Sequence, residues 1–293
     1  MTIKEAEQMI IDAYSNYSLP EENKMMLIEA LEYLIEETHD PKHMMHLGGI
    51  YYDDRRYDLA LKYYEMAATF DHTAAYECLG YIWYYGRTGE VDYKKAFEYY
   101  SKAAKRGDTV AEYKVADMYK NGYYVEKDYD KYCKTIERLY RKVKDASWMN
   151  EPLPEIFLRL SVIRREQGRT DDAIELLINA REVLEISLEY NPFFGSLRNM
   201  EWAINDLYKL IDIDYSDLGL FDLYYLLRQP CKVAFKYDDA KFEVESFEED
   251  GMMTVRFGDK WYRSVRDFFD YACIGDDRVA TLSDYVYEME VIR

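Results

Sequence analysis

Few residues in this 293-residue chain break or stiffen a backbone. It has 6 prolines and 13 glycines, too few for a collagen-like, low-complexity or disordered polymer. Cysteine is equally scarce: Cys78, Cys133, Cys231 and Cys273 lie far apart with no metal or redox spacing. That excludes a disulfide framework and reads as thiols in a reducing compartment. No apolar run approaches the roughly 20 residues of a membrane span. The start, Met1 to Gln8, is acidic and lacks the basic flank and apolar core of a signal peptide, so a cytoplasmic location is expected. Positive charge is also short. Against 57 Asp and Glu stand 38 Lys and Arg, a net charge of −19, which weighs against any protein that binds nucleic acid by neutralising phosphates. A protein or peptide partner of basic character is the better expectation.

Chemistry-bearing motifs are scarce too. There is no Gly-rich phosphate loop, no nucleophile elbow and no Cys–His arrangement, and all four histidines precede residue 73. His39, His43 and His46 are the only clustered histidines, but spacing fixes no Cys or carboxylate beside them, so they read as decoration of a helix start. Asp212 to Ser216 opens like a calcium loop, yet Asp217 stands where the loop needs Gly and Leu223 where it needs Glu. No catalytic residue, metal site or cofactor is therefore expected. Adjacent acid pairs such as Asp171-Asp172 arise by chance among so many carboxylates and are no evidence for acid–base catalysis.

What is abundant is tyrosine, 32 residues of it, and repetition. Leu79-Gly80-Tyr81-Ile82-Trp83-Tyr84-Tyr85-Gly86, followed by the stretch from Asp92 to Gly107 with its Ala96, Tyr99-Tyr100 and Ala103-Ala104, returns 36 residues later as Val115 to Gly122 and Asp128 to Lys131. That period belongs to helical repeats. Leu47-Gly48-Gly49-Ile50-Tyr51-Tyr52 with Ala60 to Ala68, and Leu160 to Ile163 with Ala173 to Leu177, follow the same design. Their connection is shorter: 13 residues separate Leu47 from Ala60 and Leu160 from Ala173, against 17 from Leu79 to Ala96. Gly48 and Gly80 are small where a partner helix must approach, and Tyr51, Tyr64, Trp83 and Tyr100 fill the space between hairpins. Gly86, Gly107 and Gly122 stand where helices should end, since glycine takes the left-handed cap conformation without steric cost.

At these residues the chain resembles the Sel1-like repeat family, whose units run Leu-Gly, an aromatic, Gly, Asp, Ala, a Trp-Tyr or Tyr-Tyr pair, then Ala-Ala and Gly. The likeness is closest over 74–107. The Leu47 and Leu160 units resemble the related tetratricopeptide repeat. The Val115 unit departs, with Ala116 for Gly, Tyr132 for Ala and Leu139-Tyr140 for Ala-Ala. The resemblance covers roughly residues 41 to 190 and implies a bacterial-type α/α superhelix, a solenoid of helical hairpins serving as a scaffold or adaptor for protein–protein interaction.

The organisation expected is a capping helical hairpin over 1–40, repeats over 41–145, and a linker, further repeat and helix over 146–215. A small α+β domain over 216–293 completes the mostly α chain. Helices are expected over 3–17, from a cap at Ser18-Leu19-Pro20-Glu21 to about Thr38, over 170–190, over 196–211 and over 217–228. Period-two alternation at 231–237 and 241–247 around Asp238-Asp239 signals a hairpin. A third strand over 252–257, a helix over 264–272 and a closing strand over 285–292 would follow.

With chemistry absent, surface carries the function. In such a stack the first helix of each repeat lines the concave face, at positions two before, two after and five after the signature Leu. Met45, Gly49 and Tyr52 answer to that rule, as do Glu77, Tyr81 and Tyr84, then Tyr113, Asp117 and Lys120, then Leu158, Val162 and Arg165. Large aromatic and Met side chains beside isolated charges suit a peptide groove. A non-catalytic module binding a partner's peptide or helix is the principal expectation. Two rivals remain: an acidic decoy or immunity protein that blocks a basic nucleic-acid-binding partner, and an enzyme or ligand sensor in the α+β domain, with a pocket near Trp261, Tyr262, Arg263 and Arg266, regulated by the repeats.

Overall fold

The computed structural model describes residues 1–14, 21–146, 152–190, 194–215, 218–249, 251–282 and 285–292. The chain divides into two compact units, 1–135 and 136–293. The first holds α1 (Ile3–Tyr14), α2 (Glu21–Thr38), α3 (Pro41–Asp53), α4 (Tyr57–Ala68), α5 (Thr73–Tyr85), α6 (Tyr93–Ala104) and α7 (Thr109–Asn121). Each of these helices packs on the next in chain order. Residues 15–17 of the expected first helix and the cap expected at 18–20 lie outside the described residues.

Aspartates begin α3, α6 and α7. Asp40 accepts from the Lys42 N–H at 2.9 Å with Pro41 in the first turn, Asp92 accepts from Lys95 N–H at 3.0 Å, and Asp108 from Ala111 N–H at 2.7 Å. Each satisfies one of the N–H groups that a helix start leaves open. Gly86 and Gly122 end α5 and α7 with φ of 60° and 72°, as their positions predicted. Gly107 is left-handed too, but α6 has already closed at Ala104.

The Leu-Gly pair has a steric cause. A Cβ built on Gly48 would stand 2.6 Å from Cε1 of Tyr64, and one on Gly80 would stand 2.6 Å from Cδ1 of Tyr100. The ring of the second helix lies directly on the backbone of the first. Leu47, Leu79, Ala60, Ala67, Ala96 and Ala103 are all fully buried around these crossings. One apolar cluster runs from Ala13 through Ile82 and another from Tyr76 through Met118, so the repeat hairpins share their cores.

α8 (Tyr129–Val143) crosses the division between the units. The second unit continues with α9 (Leu153–Glu166), α10 (Thr170–Tyr190) and α11 (Phe194–Leu207), packed in sequence. The helix expected over 217–228 is shorter, a 3₁₀ turn at Leu220–Asp222 leading into α12 (Leu223–Leu226). Asp222 is fully buried there. It accepts from Gly219 N–H and the Tyr208 hydroxyl, both at 2.7 Å, and pairs with Arg181 at 2.9 Å. This network ties α10 and α11 to the segment that enters the sheet.

β1 (Cys231–Tyr237), β2 (Ala240–Glu249), β3 (Met252–Phe257) and β4 (Lys260–Tyr262) form an antiparallel meander. α13 (Val265–Tyr271), the two-residue strands β5 (Cys273–Ile274) and β6 (Asp277–Arg278), and β7 (Tyr287–Ile292) follow, and β7 returns beside β1. The sheet order is β4-β3-β2-β1-β7. Val233, Phe235, Val244, Val255 and Phe257 alternate onto the buried face, where Phe268 of α13 meets Phe257 and Tyr262. β4 and the β5–β6 ribbon did not stand out in the sequence because they are two or three residues long. The mostly α chain with an α+β end is as the sequence implied.

Candidate functional site

Four of the predicted face residues meet in one cluster on the first unit. Tyr81 of α5 stands 6.0 Å, edge to face, from Tyr52 of α3, and 4.4 Å from Tyr85 one turn further on. Tyr84 packs against Tyr85 at 4.9 Å and also meets Tyr93, Tyr100 and Tyr123. From α7 comes Lys114, which is 8% exposed. Its Nζ donates to the Tyr85 hydroxyl at 2.9 Å and lies 5.1 to 6.0 Å from the rings of Tyr81, Tyr84, Tyr85 and Tyr113. A second cation enters from the loop after α5. Gly86, left-handed, reverses the chain so that both its own N–H and that of Arg87 reach the carbonyl of Ile82. The Arg87 guanidinium then sits 5.5 to 5.9 Å from the rings of Tyr57, Tyr81 and Tyr85 and donates to the Tyr81 hydroxyl at 3.3 Å.

Electrostatically this is a dry, polar place. Desolvation and the field of Asp108 push Glu77 up to about 7, against the partly opposing pull of Cys78 and Lys114. Desolvation, then the charge of Asp117, raises the Tyr84 phenol, and desolvation raises Tyr52. Nearby Tyr100, wholly buried, is raised by burial first and by Glu77 second.

The other predicted residues lie apart from the rings. Met45 is half-buried against the core of the first hairpins. Lys120 points its Nζ over Tyr132 of α8 at 5.0 Å. Arg165 belongs to the second unit, where it is exposed and stands 3.8 Å from Asp206. Tyr57, Tyr85, Arg87 and Lys114 were missed. At about 100° per residue, positions one before and six after the signature residue lie on the flank of the arc that carries Tyr81, so Lys114 and Tyr85 were within reach of the same rule drawn wider. Arg87 follows a helix cap, where periodicity says nothing.

In the small domain, a cavity of about 690 Å³ is lined by Phe242, Phe257, Tyr262 and Cys273 with Lys232, Lys241, Glu243, Glu245, Arg256 and Lys260. Of the residues named for a sensor pocket, Tyr262 lines it. Trp261 lies over Phe247 at 5.3 Å, and Arg266 pairs with Glu201.

The geometry of the first unit, hairpins crossing at Leu-Gly with Asp caps on α3, α6 and α7, agrees with the family comparison: the Sel1 repeat model matches residues 44–69, 74–108 and 109–131. Residues 44–131 carry three Sel1 repeats. The Sel1 match includes the first repeat, 44–69, despite its short tetratricopeptide-like connection. Among solved structures, a Sel1 repeat protein from Oxalobacter formigenes is 20% identical over 60% of this chain and 76% of its own, with a TM-score of 0.45. A protective antigen present in uropathogenic Escherichia coli strains and displaying an SLR fold is 17% identical over 64% of this chain, with a TM-score of 0.46; the match spans 46% of that antigen. No curated protein matches the chain. No described helix of the chain is long and apolar enough to cross a membrane.

Proposed function

We propose that the protein is a non-catalytic interaction module that takes an extended segment or helix of a partner protein on the face formed by α3, α5 and α7. Sel1 repeat folds generally serve as protein–protein interaction scaffolds. The observation that carries the reading to this face is the convergence of Tyr81, Tyr84, Tyr85 and Tyr113 around Lys114, with Tyr52 against Tyr81. Rigid aromatic rings with polar tips supply contact area at low entropic cost, and half-buried rings beside desolvated cations are the composition of interface hot spots. The excess of acid favours partners of net basic character and speeds their encounter.

The test compares wild type with Tyr81→Ala/Tyr84→Ala/Tyr113→Ala as bait in native lysate. Loss of the captured proteins by the variant, with its helical circular dichroism retained, is the expected outcome. Equal capture by both sinks the groove.

A further inference from the structure

We propose that Arg87 and Lys114 form an anion subsite within this groove, and that it takes the carboxylate of an acidic side chain in the bound segment; this rests on the groove reading above. In a chain with 19 more acids than bases, two of the less exposed arginines elsewhere have carboxylate partners: Arg181 has Asp222 at 2.9 Å, and Arg164 has Glu137 at 2.6 Å. Arg87 and Lys114 have none within ion-pair distance among the described residues, although Lys114 is the more buried of the two and only 8% exposed. Their neighbours are phenols and π faces. The Arg87 guanidinium donates to Tyr81 at 3.3 Å and also to Tyr52, and its Nε is buried with no acceptor. A guanidinium carries five donors in a flat fork, so most of its hydrogen-bonding capacity is unused here, and a planar carboxylate is the group that fits that fork.

The acids that face this place do not fill the role. Glu77, whose field reaches Lys114, is desolvated and pushed up to about 7, so at neutral pH it is only half ionised. Asp117, on the same helix as Lys114, acts by its charge on Tyr84. The tyrosines hold the two cations in a fixed position while contributing no negative charge. Local charge thus asks for an acid where the whole-molecule charge asks for a base: a segment of net basic character with one carboxylate anchor satisfies both.

The probe is a displayed library of random 12-residue peptides selected on the intact protein, followed by fluorescence polarisation of the best synthetic peptide. Enrichment of Asp or Glu at one position is expected. Replacing that residue by Gln or Asn in the peptide should weaken binding at least tenfold. Arg87→Gln should weaken the acidic peptide at least tenfold and its amide version less than twofold, and Lys114→Gln should behave alike. Enrichment without an acidic position, or an amide peptide that binds equally well, overturns the subsite and leaves the groove standing. A selection that enriches no peptide overturns the groove and the subsite together. Should either protein variant misfold, the peptide substitution alone decides.

Discussion

Gly48 and Gly49 are adjacent in the interior of α3, and substituting each by Ala should move stability in opposite directions. Helix propensity is the same for both: Ala in place of Gly stabilises a helix interior by about 1 kcal/mol. Nothing lies within 4 Å of a Cβ on Gly49, so Gly49→Ala should show that gain. At Gly48 the new methyl would stand 2.6, 2.7 and 3.2 Å from three atoms of the Tyr64 ring, where carbon atoms prefer roughly 3.5–4.0 Å. Tyr64 is 5% exposed and cannot swing into water. Helix α4 must therefore shift by about 1 Å, and overpacking of this kind costs about 1–3 kcal/mol. At the upper end of that range, less the propensity gain, Gly48→Ala loses about 2 kcal/mol net. Urea unfolding followed by circular dichroism at 222 nm would place the two variants on opposite sides of wild type, separated by about 3 kcal/mol. Gly48→Ala/Tyr64→Leu, compared with Tyr64→Leu, should recover most of the loss because the ring is gone. Gly48→Ala as stable as Gly49→Ala would refute the claim that close ring-on-backbone contact is what the Leu-Gly pair is for.

Two further outcomes follow from buried charge. Glu77, ordinarily near 4.5 and held at about 7 in the fold, prefers to be protonated when folded, so its contribution is complete below 4.5 and is lost as pH rises through 7. That rise corresponds to about 3 kcal/mol at most, discounted to about 2 because the residue keeps some contact with water. Glu77→Gln should flatten the stability profile between pH 5 and 8, as read by thermal melts across that range. Asp222→Ala should leave Arg181 buried without its anion and open the links to Tyr208 and Gly219, costing about 3–5 kcal/mol in the second unit. Hydrogen exchange should show the loss in α10, α11 and the 3₁₀ turn, while α3 to α6 keep their protection.

Repetition made the first unit legible because each of its signals has a local steric or hydrogen-bonding cause. Asp40, Asp92 and Asp108 cap, Gly86 and Gly122 reverse the chain, and Gly48 and Gly80 admit rings, all through residues within one hairpin. The sheet hairpin was legible for the same reason: Asp238 and Asp239 both adopt positive φ in the two-residue turn that the alternation flanks. Where structure depends on distant partners, sequence said less. The helix expected over 217–228 is cut to a 3₁₀ turn and four α-helical residues because Asp222 is drawn to Arg181 and Tyr208, 41 and 14 residues away. The site behaved likewise. Tyr81 and Tyr84 follow from periodicity, but the inward position of Lys114 is set by rings on α5, and Arg87 arrives through a cap.

The opposition between a strongly acidic molecule and a groove holding two cations separates the two halves of a binding reaction. Fields of exposed charge fade over about 8 Å at physiological salt, so the surplus of carboxylates acts on approach and not on the docked complex. Contacts inside the ring cluster form only after docking and are shielded from salt by the tyrosines around them. For a basic peptide that carries one acidic anchor, raising salt from 50 to 500 mM should lower the association rate about tenfold or more and change the dissociation rate by less than about threefold. Arg87→Gln should do the reverse, speeding dissociation and leaving association and its salt slope as they were. Stopped-flow polarisation measures both rates. If salt accelerated dissociation of wild type as strongly as Arg87→Gln does, the anchoring contact would be solvent-exposed, and the ring cluster would not be the place where the partner is held.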